Sequence, residues 1–170
     1  MTGAFEAALD AQDLAAIRRI PKADLHTHGW ANADRAYVRE KTGHDVVPIA
    51  APLASIDGMH AWAKANIGAL FEGAAGRRLG IEATWVRALR DGLTRIEFGD
   101  DVWMVTQGLG SPQQLVEPIV QAQARMAPNV EWIPQLGLSP GVSEEFLRLY
   151  QARVFTAAEP DVIRRCGLED

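Results

Sequence analysis

Cysteine is nearly absent. Cys166 is the one thiol in 170 residues, so no intrachain disulfide forms and nothing in the composition points to an oxidising compartment. Basic clusters are missing too: lysine and arginine adjoin only as Arg18-Arg19, Arg77-Arg78 and Arg164-Arg165, and the net charge is −5. That balance leaves no electrostatic footprint for nucleic acid or an anionic membrane. No apolar run approaches the ~20 residues a membrane span needs. The opening MTGAFEAALDAQDLAAIRRI carries three acidic residues and no continuous apolar core, unlike a secretory signal. Together these absences predict a cytoplasmic protein whose partner is a small molecule rather than a nucleic acid or a membrane, with its oligomeric state unspecified. There is also no internal repeat and no low-complexity segment.

Apolar residues, by contrast, are plentiful at 48% of the chain, enough for one sizeable core in one domain. Phe5, Leu9, Ile17 and Ile20 with interleaved alanines predict an opening helix stopped by Pro21. A strand over Ala23 to His28 comes next, then a brief helix over Ala33 to Lys41. TGHDVVPIAAPLAS has two prolines and no stable period, and reads as a long irregular excursion. Met59, Trp62, Ile67, Leu70 and Phe71 fall at helical spacing, and Ile81, Trp85, Ala88 and Leu89 do so again before the stop at Gly92. LTRIEF, Leu93 to Phe98, is the second strand. Ser111-Pro112-Gln113-Gln114 is a capping box opening a helix to about Met126. VEWIPQLGL is the third strand, although Pro134 suits a central strand poorly. Ser143 caps a helix from Glu144 to about Val154. Strands separated by helices imply right-handed crossovers and a parallel sheet, an α/β fold. Four of the five tryptophans, at 62, 85, 103 and 132, occupy core-like positions.

The chemistry lies in IPKADLHTHGW, Ile20 to Trp30. Strand alternation places Asp24, His26 and His28 on one face, the interior, with Leu25 and Thr27 on the other, under the helices. Two imidazoles about 7 Å apart along a strand can lean onto one ion, and Gly29 lets the chain turn away at once. The bland alternative is a pair of strand-end histidines satisfied by hydrogen bonds. The lead-in and the strand context favour His26 and His28 as metal ligands. His44, in the irregular loop, and His60, on a helix flank, are assigned no ligand role. Trp30 is placed either to line a substrate pocket beside Gly29 or to pack under the long loop. By the same alternation Arg95 and Glu97 share the interior face of the second strand, Arg95 meeting Glu97 or Asp24, while Ile96 and Phe98 pack under helices.

IPKADLHTH resembles the first-strand signature of the adenosine deaminase branch of the amidohydrolase superfamily, and ALRDGLTRIEFGDD, Ala88 to Asp101, is similar to the helix, Asp-Gly turn and second strand of that branch. The resemblance implies the N-terminal portion, about three strands, of a (β/α)8 TIM-type barrel, with residues 1–170 a single partial domain. It implies Zn2+, or another divalent metal, on His26 and His28, and Glu97 at the place of the strand-two glutamate. Asp24 and Glu97 are then second-layer supports of the ligands, and Gly29 and Trp30 line the substrate. The chemistry implied is hydrolytic deamination of a purine-like or related amine or amide by a zinc-activated water, whose pKa the metal lowers to about 7. A third histidine, a glutamate acid/base and an aspartate are expected beyond Asp170, since such barrels run to ~250 residues. The 170-residue chain alone is therefore expected to be inactive. Two departures point to a different pocket from that for adenosine: Gly29-Trp30-Ala31-Asn32 stands where the branch has Leu-Asp-Gly, and Gly99-Asp100 where an arginine is expected.

Two other readings compete. PHP-type phosphoesterases also begin D-x-H-x-H, but they carry a further Asp-His pair and no Asp-His dipeptide occurs in this sequence. A non-catalytic barrel fragment acting as an interaction module is the other. VWMVTQGLGSPQQL mimics a dinucleotide turn, but Gln113 holds the third fingerprint position. The nucleobase deaminases with H-x-E and P-C-x-x-C need more than one cysteine.

Overall fold

A computed structural model describes residues 2–29, 32–101 and 112–137. The helix expected over Glu144 to Val154, the Gly-x-Gly segment, Ser111, Trp30 and Trp103 lie outside them.

The opening helix is two: α1, Thr2–Asp10, and α2, Leu14–Arg19. The single helix expected there is broken at Gln12, whose φ of +52° lies in the left-handed region. Asp13 explains the restart. Its carboxylate accepts from Ala16 N at 2.9 Å, so it caps a new helix rather than continuing the old one. β1, Lys22–His28, comes after it, then α3, Arg35–Thr42, capped by Asp34 and ended by Gly43. Residues 44–55 hold no regular element, as the prolines predicted. Next come α4, Ile56–Asn66, a short 3-10 turn, Gly68–Phe71, and α5, Gly73–Asp91. Gly92 ends α5 at φ +69°, and a Cβ there would run into the carbonyl oxygen of Arg18, so the turn needs glycine twice over. β2, Leu93–Asp101, α6, Pro112–Met126, and β3, Glu131–Gly137, complete the described chain.

The three strands form one parallel sheet in the order β1-β2-β3. The fold is α/β, as expected. Pro134 sits opposite Phe98 in β3, which borders only β2 among the described residues; an outer strand tolerates a missing N–H on its unpaired side.

One face of the sheet is dry. Ile96 and Phe98 of β2 pack under Ile81, Trp85 and Ala88 of α5 and Ile119 and Ala122 of α6, all buried. Trp85 and Phe98 meet edge to face at 5.4 Å between ring centroids. On the outer side of α5, Ala83 joins Val38 of α3 and Val46 of the irregular segment, with Trp62, Ile67, Leu70 and Phe71 packed around them. That segment is thereby pinned at its buried valine. Tyr37 donates to Glu82 Oε2 at 2.8 Å across the same contact, and Arg125 holds the other oxygen of Glu82. Burial, with Glu82's hydrogen bond and charge added, pushes the Tyr37 phenol up to about 12. No helix among the described residues is long and apolar enough to cross a membrane.

Candidate metal centre

The site is built where β1 ends. β1 does not alternate regularly: Asp24 pairs with Ile96 and Thr27 with Phe98, so three steps in β1 match two in β2. This bulge inserts one residue between Asp24 and Thr27; it follows an opposite shift between Lys22 and Ala23, so His28 meets Gly99 in the register that Lys22 and Leu93 begin, and Ala23 and Asp24 alone are displaced. Asp24 and Thr27 therefore share the helix-facing side, and His26 and His28 turn to the other. The expectation that Asp24 shares a face with the histidines is corrected by that extra residue. Asp24 still touches His26, but through the backbone: its Oδ1 accepts from His26 N at 3.1 Å. Its Oδ2 lies 3.4 Å from Asn32 Nδ2, which also donates to Thr27 Oγ1, while Asn32 Oδ1 accepts from Arg87 at 2.6 Å. Thr27 is buried as expected, whereas Leu25, expected under the helices, is 63% exposed beside the bulge.

The two imidazoles meet. Their Nε2 atoms are 3.1 Å apart and the rings stand T-shaped at 89°. Two nitrogens bound to one tetrahedral zinc at ~2.0–2.1 Å sit about 3.3 Å from each other, so the pair already has close to the spacing of two ligands of one ion. His26 Nδ1 contacts Gln135 Oε1 at 3.0 Å, the acceptor that a ligating histidine ordinarily has behind it. Gln135 in turn donates to Leu25 O at 3.1 Å and Glu97 Oε2 at 3.0 Å. Arg95 Nη2 lies 3.5 Å from Glu97 Oε1 and its Nη1 3.8 Å from Glu131. Arg95 and Glu97 thus occupy one face and pair there, with Ile96 and Phe98 buried on the other, as alternation in β2 predicted.

Behind the histidines lies a buried ion pair. Arg77 of α5 donates to Asp100 Oδ2 from Nη2 at 2.6 Å and from Nε at 3.1 Å. Asp100 Oδ1 accepts from Gly29 N at 3.3 Å, and a Cβ on Gly29 would stand 2.7 Å from that oxygen. A side chain at 29 would have to displace a carboxylate that Arg77 holds in place, so glycine suits this position, and Gly29 is buried at the strand end. Arg77 also donates to Gln114 O at 3.0 Å and to Leu115 O. Pro118 lies inside α6 and has no N–H to offer Gln114 O, so the arginine supplies a donor that the proline cannot.

His44 and His60 stand apart. His44 Nε2 contacts Asn66 O at 2.8 Å, tying the irregular segment to the end of α4, and His60 is exposed. Among the described residues no group of three or more histidine, cysteine or acidic side chains is placed to hold a metal. Sequence reasoning passed over Gln135, Asn32 and the Arg77–Asp100 pair. Arg77 alone left a signal, lying four residues before Ile81 on the buried stripe of α5. In comparisons with protein-family models and with curated proteins, the chain matches none.

Proposed function

We propose that this chain supplies part of the metal centre of a zinc-dependent hydrolase of the adenosine deaminase-like amidohydrolase type, a (β/α)8 barrel acting on a small purine-like amine or amide in the cytoplasm. The observation that carries the reading is the 3.1 Å separation of the His26 and His28 Nε2 atoms, with Gln135 behind one ring. Zinc, when bound, supplies a Lewis acid and a water acidic enough to attack an electrophilic carbon. The chain's own residues do the positioning: strand alternation sets both rings on one side, the β1 bulge puts Asp24 on the other, and the Arg77–Asp100 pair grips Gly29, next to His28. Asp24 fixes the His26 backbone from behind the sheet, and Glu97 supports His26 through Gln135. Catalytic zinc sites ordinarily have three protein ligands, so the further ligands and the general acid/base come from residues other than those described.

The test is metal binding followed by product analysis. Stoichiometric binding of Zn2+ or Co2+ that His26→Ala and His28→Ala each abolish is expected, with affinity modest for two ligands. Ammonia release from purine bases and nucleosides, rather than phosphate release from phosphoesters, identifies the reaction where the full ligand set is present. Binding indifferent to both substitutions would remove the basis of the proposal.

A further inference from the structure

We infer that Gln135 is a positioning residue that fixes the tautomer of His26, so that the two histidines meet a metal from unequal starting states. The inference rests on the metal reading of the pair, yet its central claim concerns the metal-free protein.

The amide of Gln135 has one satisfiable orientation. Leu25 O at 3.1 Å and Glu97 Oε2 at 3.0 Å are both acceptors, so the NH2 group must face them. Reversing the amide would set its oxygen against two oxygens. The carbonyl therefore faces His26 Nδ1 at 3.0 Å, and that nitrogen must carry a proton. A neutral imidazole has one N–H, which leaves the lone pair of His26 on Nε2. The atom 3.1 Å away is His28 Nε2, and a hydrogen bond there requires it to be the donor. The metal-free pair is thus His26 protonated on Nδ1 and His28 protonated on Nε2. A shared metal needs both Nε2 lone pairs. His26 is ready, while His28 must transfer its proton from Nε2 to Nδ1, with no net change in protonation.

The sheet explains how a β3 side chain reaches β1 at all. In register, His28, Gly99 and Gln135 form one row across the three strands. Adjacent strands are ~4.8 Å apart, so the middle strand's side chain ordinarily fills the row. Gly99 has none, and the gap lets Gln135 cross to Leu25 and His26. A Cβ at 99 would also collide with the Gln135 carbonyl oxygen.

The experiment is long-range 1H–15N NMR of the histidine rings in the whole chain at mildly alkaline pH, with and without Zn2+, beside Gln135→Met and the polarity-reversed double variant Glu97→Gln/Gln135→Glu. Expected in the metal-free protein are His26 as the Nδ1–H form and His28 as the Nε2–H form, both becoming Nδ1–H with zinc. In Gln135→Met the His26 preference is lost and zinc binds ~10–100-fold more weakly. The double variant recovers the Nδ1–H form, because the group at 135 then accepts from His26 and from the amide at 97. Finding His26 as Nε2–H in the unsubstituted chain overturns the inference, and so does a folded Gln135→Met whose His26 tautomer is unchanged. The unsubstituted measurement needs no variant, so misfolding of one would not shelter the idea. Should the tautomers be as expected while zinc leaves both rings unmoved, Gln135's role stands and the metal reading fails.

Discussion

The two faces of the small sheet are built on opposite terms. Under the helices, Ile96 and Phe98 meet Ile81 and Trp85 with no more than 1% of any of them exposed. On the other face His26 is exposed, while His28, Arg95, Glu97 and Gln135 are half-buried and bonded to one another. One face is held by burial of apolar area, the other by a chain of directional contacts with little burial. Stability should therefore reside on the first and chemistry on the second, with the Arg77–Asp100 pair joining them.

That division can be broken hardest at Trp85. Trp85→Ala empties the centre of the apolar face and should cost about 4 kcal/mol in urea unfolding, while any Zn2+ affinity of the folded fraction stays near that of the parent. Arg77→Met comes next. It takes the guanidinium from the buried Asp100 carboxylate and one donor from Gln114 O, at an expected cost of about 3 kcal/mol. Because Asp100 holds Gly29, this change should also weaken metal binding, which Trp85→Ala should not. A loss of stability with unchanged metal affinity would show that the pair does not couple the two faces.

Smaller in effect, Asp34→Ala removes the α3 cap, which accepts from Tyr37 N at 2.7 Å, and the 2.6 Å contact with Arg90. About 1 kcal/mol is expected. The same contact region gives a pH test. Tyr37's phenol is raised to about 12 in the folded chain from the ordinary 10, so the folded state holds its proton more tightly. The stabilisation is then complete below about pH 10 and disappears as pH rises toward 12. Urea midpoints across that window should fall more steeply for the parent than for Tyr37→Phe. Smallest is His26→Ala. At an exposed position it should alter stability by less than about 0.5 kcal/mol while abolishing metal binding, and a large loss of stability would instead mark the histidine pair as a structural contact.

The residues themselves determined the local elements. Apolar spacing in α5, the Gly92 stop, the alternation of LTRIEF and the irregular prolines of 44–55 were legible because each depends on near neighbours in the chain. So was the meeting of His26 and His28, two residues apart. Only the tertiary structure decided the rest. The β1 bulge that turns Asp24 away from the histidines comes from how β1 registers on β2, and β1's own composition does not mark it. Gln135 lies 109 residues from His26, and Arg77 lies 37 from Gln114. Gln135 acquires its partner only because the row it shares with Gly99 is open, and Arg77 is drawn to a carbonyl that Pro118 cannot serve. A strand's period states which side chains share a face, but a register between strands, with one residue added, decides which face that is.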